Sequence, residues 1–484
     1  MKNNKGTINN FLWKFSERIL AQFISLFVSI ILARLLAPEH YGVVSMVNIF
    51  IALANVFVSD GLGSALIQKK DADSLDYASV LYCGVGLSIV FYFILFFAAP
   101  YIAMFYNNAY DSLVPVLRVM GLSLILASIN SVQQAYVAKH MIFQKFFFAT
   151  IFGTLTSAIV GIAMAYCGFG VWALVAQSLT NQSINTIVLG ISLHKKPILA
   201  FSFTRIKYLF RFGSRILATG LLIQGYQELR ALLIGKLYTS ADLAYYDKGR
   251  SFPNLIVVNI NASISAVLFP KMANSQDNLE SVKIKTRQAI RFGSYLMVPV
   301  MLGLLAVSDS FVRVVLTEKW LPCVPLMRWF CIVYLFQPIH TANARAIKGI
   351  GRSDITLKLE IVKKVLELIS LVMVMKISVP AIVISMAVLT TLFTFVNAYP
   401  NIKFLGYSFK EQIRDLLPSL LMGGVMLMTV LLVGKITLPL LLKLILQIVM
   451  GALVYLVLSI ITKNKEFRFI CDYIRDKLPR KETI

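Results

Sequence analysis

The sequence lacks the patterns that mark an enzyme active site. It has no glycine-rich phosphate-binding loop of the Walker type, so we do not expect it to hydrolyse nucleotides. Its four histidines lie far apart, without the spacing of metal ligands. No loop combines paired carboxylates or a nucleophile with a base. The sequence therefore predicts no catalytic residue, no metal site and no cofactor. The histidines are His40, His140, His194 and His340.

Cysteine is also scarce, and its spacing is not that of a metal or redox motif. Most of the five cysteines lie in or beside apolar segments, where a free thiol behaves as a small apolar group. We expect free thiols. They are Cys83, Cys167, Cys323, Cys331 and Cys471.

Charged residues are few, whereas long apolar stretches are abundant. Only 14% of the 484 residues are charged, and 58% are hydrophobic. The apolar stretches have the length of about 20 residues that spans a bilayer as an α-helix. They lack the alternating pattern of outer-membrane barrels. The sequence therefore predicts an all-α integral membrane protein.

Fourteen such stretches predict fourteen transmembrane helices. The formal net charge of +24 lies in the loops between them and in the tail, so we attribute it to membrane topology and expect no nucleic-acid partner. The positive-inside rule places both termini in the cytoplasm. The predicted spans are 11–36, 42–67, 78–103, 113–138, 146–167, 170–193, 207–236, 245–269, 287–308, 323–347, 355–376, 380–402, 415–435 and 439–462. Segments 203–212 and 407–417 are predicted amphipathic helices on the cytoplasmic face.

A degraded repeat divides the chain into two lobes. Residues 14–21 reappear as residues 211–218, with five of the eight positions identical. Six spans precede the boundary near residue 200 and six follow it, so both copies enter the membrane in the same direction. This predicts an N-lobe at 1–200, a C-lobe at 201–402, and two further helices with a basic cytoplasmic tail at 403–484.

Polar side chains share single faces of several predicted helices. They recur at steps of three and four residues, the period of one helix face. A charge at the bilayer centre costs about 2.5–3.5 kcal/mol on insertion scales, so such faces are expected to contact protein or water. We predict a substrate-binding cavity formed by Arg18, Gln22, Asn48, Asn55, Arg215, Arg230, Asp247, Arg250, Asn254 and Arg345.

Several polar residues have a structural alternative. Arg18 and Arg345 lie near helix ends, where a long basic side chain can anchor the helix at the membrane surface. Amides can bond neighbouring helices as readily as a substrate; such amides are Asn130, Gln134, Gln177, Asn181 and Asn185. The candidates for coupling to H⁺ or Na⁺ are Asp60, Glu228 and Glu367, and the alternative for Asp60 and Glu367 is a salt bridge or a place in a helix interface.

Residues 31–42, 60–71 and 317–322 carry a family resemblance. They are similar to the corresponding segments of bacterial polysaccharide-exporting flippases, such as those of lipopolysaccharide or teichuronic acid biosynthesis. These flippases belong to the multidrug, oligosaccharidyl-lipid and polysaccharide exporter superfamily. The resemblance implies translocation of an undecaprenyl-diphosphate-linked oligosaccharide across the bacterial plasma membrane by alternating access. Members keep cationic residues in the first, second and eighth transmembrane spans. Arg18 and Arg250 match those of the first and eighth spans, whereas the second span has Asn48 instead.

The resemblance also implies the partners of the chain. These are the lipid-linked oligosaccharide, membrane lipids, H⁺ or Na⁺ as a coupling ion, and other polysaccharide assembly proteins. Two alternatives remain open. A cation-coupled multidrug antiporter of the same superfamily would need acidic residues and aromatics along one lobe. A membrane-embedded glycan polymerase or ligase would need large outer loops.

Overall fold

The computed structural model describes residues 2–69, 71–107, 110–193, 198–273 and 278–477. Side chains are described throughout these ranges except at 2–12, 15, 60–62, 211–212, 215–216, 263–273 and 473–477. Helices make up the regular structure of these ranges, which contain no strand. The chain divides into two compact units, Met1–Ala244 and Tyr245–Ile484. The all-α prediction is confirmed.

Unit 1 contains nine complete helices and a π-helical turn. The turn, Val56–Asp60, separates α2 from α3, and α10 begins at the end of this unit. The helices are α1 (Lys2–Leu35), α2 (Pro38–Asn55), α3 (Gly61–Gln68), α4 (Ser74–Phe105), α5 (Leu113–Met120), α6 (Ser123–His140), α7 (Phe143–Tyr166), α8 (Val171–Leu193), α9 (Phe203–Leu237) and α10 (Ser240–Ala273).

Unit 2 holds the rest of α10 and eight further helices. A 3₁₀ turn, Glu318–Trp320, follows the first of them. They are α11 (Leu279–Val315), α12 (Cys323–Leu335), α13 (Gln337–Gly349), α14 (Ser353–Val374), α15 (Val379–Leu405), α16 (Phe409–Val433), α17 (Leu440–Ile461) and α18 (Lys465–Lys477).

Each of the fourteen predicted spans falls on helix. Among the described residues, nine helical stretches are long and apolar enough to cross a membrane. The predicted spans over α8, α9, α10, α12–α13 and α14 are not among the nine, because polar and charged residues interrupt their apolar sequence. The predicted amphipathic segments 203–212 and 407–417 are not separate helices, because α9 begins at Phe203 and α16 at Phe409 and both continue beyond these segments without a break. The number of fourteen spans and the lobe boundaries stay predictions.

Small residues set the close packing of α7 against α8. A Cβ atom at Gly161 would lie 2.9 Å from Gln177 Cβ, and one at Gly153 would lie 3.0 Å from the Asn181 carbonyl oxygen. Glycine therefore lets the two backbones approach, as is usual between membrane helices. The turn joining them uses Gly168, whose φ of +80° is a conformation that favours glycine.

An ionic cluster fixes the end of unit 1 that the topology prediction assigns to the cytoplasm. Asp73 and Asp76 form a capping box that begins α4. The fully buried Asp76 carboxylate accepts hydrogen bonds from Lys69 Nζ at 2.6 and 2.7 Å, and lies 3.2 Å from Arg205 Nη1. Arg205 also bonds Asp73 Oδ1 at 2.6 Å and holds the pKa of that carboxyl at about 2. Charges that the sequence offers as topology signals thus tie α3, α4 and α9 together.

A second ionic cluster joins α11 to α16 in unit 2. Arg287 donates to both oxygens of Asp415, at 2.8 and 3.1 Å, and the Tyr407 hydroxyl donates to the same carboxylate at 2.9 Å. Asn343 Nδ2 donates to Gln412 Oε1 at 2.9 Å, and both residues are buried. The segment beyond residue 403 is therefore packed into unit 2.

Candidate functional site

An open cavity of about 600 Å³ lies within unit 1, lined by α2, the π turn, α3, α6 and α8. Its volume is in the range typical of ligand sites, roughly 300–1,000 Å³. Apolar lining comes from Ile67, Leu126 and three alanines. The polar lining consists of amides and hydroxyls: Asn55, Ser59, Ser64, Asn130, Ser131, Gln134, Asn181, Gln182 and Asn185.

The π turn shapes one wall of the cavity. Asn55 is the last residue of α2, and Ser59 lies within the turn. The wider winding of a π turn leaves backbone carbonyls without their usual helical donors. The Ser131 hydroxyl of α6 donates to the Ser59 carbonyl oxygen at 3.0 Å. A Cβ at Gly63 would lie 2.6 Å from Ser131 Oγ, so glycine keeps α6 close to this wall.

A chain of amides forms the opposite wall. Gln134 donates to Asn130 Oδ1, Asn130 donates to Asn185 Oδ1 at 2.8 Å, and Asn185 donates to Thr150 Oγ1 at 3.4 Å. Asn181 donates to Ser157 Oγ at 3.2 Å. These amides therefore bond neighbouring helices and line the cavity at the same time.

The chemistry of this cavity is neutral hydrogen bonding. No charged side chain occurs among the lining residues that the structure describes. Amides and hydroxyls both donate and accept hydrogen bonds. They suit a ligand rich in hydroxyl groups, and they cannot neutralise a buried charge.

Of the predicted substrate-binding residues, Asn55 lines this cavity. Arg18 and Asn48 have exposed side chains and are not part of its lining, and Gln22 is half-buried. The side chains of Arg215 and of the coupling candidate Asp60 lie outside the described residues.

Two predicted residues of α9 have partners on the same helix. Arg230 Nη2 donates to the Tyr226 hydroxyl at 2.9 Å, and its guanidinium lies 5.2 Å from the centre of that ring. Gln224 donates to Glu228 Oε1 at 2.7 Å. These bonds fix both side chains along the helix.

The polar face predicted on α10 is found in unit 2. Arg250 bonds the Tyr246 side chain and lies near the charge of Asp247. Asn254, one turn further along, and Arg345 on α13 are half-buried. They are not lining residues of the unit 1 cavity.

The coupling candidate Glu367 lies 3.2 Å from Lys364, in an i,i+3 pair on α14. This is the salt-bridge alternative for Glu367 and does not test a coupling role. No group of three or more potential metal-ligating side chains occurs in the described ranges.

A buried polar cluster in unit 2 was missed by sequence reasoning. His340 bonds Thr394 at 3.1 Å and Asn397 at 2.9 Å, while the buried Lys363 pairs with Glu360. The signal in the sequence is the group of charged residues between apolar side chains of α14, of which Lys363 is buried. A void of about 10 Å³ beside Glu360 and Asn397 is close to the volume that one water molecule needs.

Comparison with curated proteins identifies transport and biosynthesis proteins of bacterial polysaccharides. The chain is 24% identical over 371 residues to the lipopolysaccharide biosynthesis protein WzxC of Escherichia coli (strain K12), covering 75% of this chain and 74% of that protein. It is 24% identical over 304 residues to the teichuronic acid biosynthesis protein TuaB of Bacillus subtilis (strain 168), covering 62% of each.

Solved structures show the same fold. The lipid II flippase MurJ, in an inward closed conformation, aligns with a TM-score of 0.77 at 15% identity, over 94% of this chain and 99% of that chain. An inward-facing multidrug resistance transporter of the MATE family aligns with a TM-score of 0.63 at 15% identity, over 80% of this chain and 96% of that chain. The chain therefore has the fold of these transporters.

The sequence profile of a family described as "Polysaccharide biosynthesis protein" matches residues 31–325. The match includes the three segments, at 31–42, 60–71 and 317–322, that carry the resemblance. Because the match spans more than half of the chain, the family resemblance predicted from the sequence is confirmed, and the protein belongs to this polysaccharide biosynthesis family.

Proposed function

We propose that this protein translocates an undecaprenyl-diphosphate-linked oligosaccharide across the bacterial plasma membrane, with both termini in the cytoplasm. The observation that carries the proposal is the amide-lined cavity of about 600 Å³ in unit 1. Sugar hydroxyls would exchange hydrogen bonds with water for bonds with these amides. The lipid tail would remain in the bilayer while the saccharide moves by alternating access.

Fold and family support a transport role. MurJ is a lipid II flippase, and the family to which this chain belongs is one of polysaccharide biosynthesis. The MATE transporter shares the fold, but a fold alone does not choose between a lipid-linked glycan and a drug. A drug antiporter would favour acidic residues and aromatics, whereas the described polar lining consists of amides and hydroxyls.

Other parts of the proposal concern residues outside the cavity. The guanidinium groups of Arg18 and Arg250 are candidates for the diphosphate, because arginine forms several charge-assisted hydrogen bonds with phosphate oxygens. H⁺ or Na⁺ is the proposed coupling ion, with Asp60, Glu228 and Glu367 as its candidates. Other polysaccharide assembly proteins are proposed partners.

Complementation of a strain that lacks the protein tests the role of the cavity. Asn130→Leu removes the bond to Asn185 and makes the wall apolar, so we expect loss of surface glycan at normal membrane abundance of the protein. Gln144→Leu is the matched control, because Gln144 is exposed at the start of α7, away from the cavity lining. A normal amount of surface glycan with Asn130→Leu would show that the cavity is not part of the transport path.

A further inference from the structure

The unit 1 cavity offers hydrogen bonds without charge, which limits the cargo that it can hold. Every polar lining side chain in the described part of the chain is an amide or a hydroxyl. Two cations lie next to the lining in the sequence: Lys69, two residues beyond Ile67, is paired with Asp76 at 2.6 Å, and Lys139, one residue beyond Ala138, donates to the Lys69 carbonyl oxygen. A carboxylate in the cavity would therefore find no cation among the described lining residues, and both neighbouring lysines already have partners.

Two buried acceptors of the lining favour donors on the ligand. Asn130, Asn181 and Asn185 each use at least one of their two amide N–H groups for a bond within the protein. The side-chain carbonyl oxygens of Asn55 and Gln182 are buried without a hydrogen-bond partner in the described part of the chain. An unpaired buried acceptor is stabilised by an O–H or N–H group and repels an anion.

We infer that the unit 1 cavity selects an uncharged saccharide with hydroxyl and acetamido groups, and that it discriminates against a sugar carrying a carboxylate. This inference rests on the proposed function and adds a substrate class to it. A carboxylate loses far more hydration free energy on leaving water than a hydroxyl does, and a nearby cation offsets that loss most effectively. A sugar hydroxyl or acetamido group needs only the neutral partners that line this cavity.

Transport of two matched cargoes tests the inference. The purified full-length protein is reconstituted in liposomes containing a polyprenyl-diphosphate-linked disaccharide, built either from N-acetylhexosamine or with a hexuronic acid at one position. Exposure of each cargo is followed with a membrane-impermeant glycosidase. We expect the neutral cargo to move at least about tenfold faster, which corresponds to about 1.4 kcal/mol.

The outcomes distinguish cargo selection by the cavity from the proposed glycan translocation on which it rests. Equal rates, or faster movement of the acidic cargo, would overturn the selection while leaving glycan translocation intact. Movement of neither cargo would overturn both.

A charge placed at the cavity tests whether the selection arises there. Gln134 lines the cavity and has an exposed side chain, so Gln134→Lys adds a cation that a carboxylate can approach. We expect this variant to bring the ratio of the two rates close to one. Gln144→Lys, the same change on an exposed side chain outside the lining, is expected to keep the original ratio. An unchanged ratio in Gln134→Lys, or the same shift in both variants, would overturn the assignment to this cavity.

Discussion

The buried carboxylate of Asp76 predicts an unusual order of stabilities in unit 1. Asp76 is fully buried, whereas the side chains of its two cations, Lys69 and Arg205, are 24% and 34% exposed. Asp76→Asn removes the buried charge and leaves two cations that can reach water. The amide of the asparagine can still accept the hydrogen bond from the Asp73 backbone N–H, which is 3.1 Å long.

The magnitudes follow from which charge is left unpaired. Breaking a buried ion pair costs about 3–5 kcal/mol, and an exposed pair contributes about 0–1 kcal/mol. Asp76→Asn should fall between these limits, at about 2 kcal/mol. Lys69→Met leaves the buried carboxylate with Arg205 alone, so it should cost more, about 3–4 kcal/mol. The double variant should be close to Asp76→Asn alone, because the charge that makes the lysine necessary is gone.

Thermal unfolding of the detergent-purified protein measures this order. The midpoint should fall by roughly 5 °C for Asp76→Asn and by about twice that for Lys69→Met, given 2–4 °C per kcal/mol for a unit of this size. Asp354→Asn is the matched control, since Asp354 is 51% exposed in its pair with an exposed arginine and should shift the midpoint little. The reasoning fails if Lys69→Met is milder than Asp76→Asn, or if Asp76→Asn is no worse than the control.

Three further predictions concern packing, pH and transport. Gly161→Ala should lower the free energy of unfolding by about 1–3 kcal/mol, because its Cβ would lie 2.9 Å from Gln177 Cβ. Gly86→Ala is the control and should leave the stability unchanged, because the space around its Cβ is open. A thermal scan in which both variants behave alike would contradict this prediction. The Arg205 guanidinium lowers the pKa of Asp73 to about 2 in the folded protein, so the contribution of the ionised Asp73 carboxylate to the free energy of unfolding should be complete above about pH 4 and fade towards pH 2. The thermal midpoints of the wild type and Asp73→Asn should therefore converge on acidification. A constant gap between them would refute the pairing. Arg250→Ala should abolish glycan export while membrane abundance stays normal, and normal surface glycan in that variant would remove Arg250 from the site.

Helical periodicity predicted part of the cavity wall. The three- and four-residue steps placed Asn55 on a polar face of the second predicted span, and Asn55 lines the cavity. The π turn that begins directly after Asn55 was not predicted, because the three- and four-residue period does not describe its wider winding. The exposed Asn48 shows that membership of a polar stripe does not by itself place a residue in the cavity.

Long-range pairing explains most of what the sequence could not give. Lys69 belongs to the loop charge that we attributed to membrane topology, whereas the structure pairs it with the buried carboxylate of Asp76. Arg205 reaches the same carboxylate from the start of α9, far along the chain. For amides such as Asn130 and Asn185, the sequence left open whether they bond a neighbouring helix or the substrate. The structure shows that these two amides bond each other across helices while lining one cavity.

The leaflet location of the undecaprenyl-linked glycan in cells depleted of this protein tests the central claim most directly. A membrane-impermeant glycosidase or lectin reports which leaflet holds the saccharide. Translocation by this protein predicts that the lipid-linked glycan accumulates on the cytoplasmic side. Normal outward exposure with surface polymer missing would contradict it and would place the protein at a later step of polymer assembly.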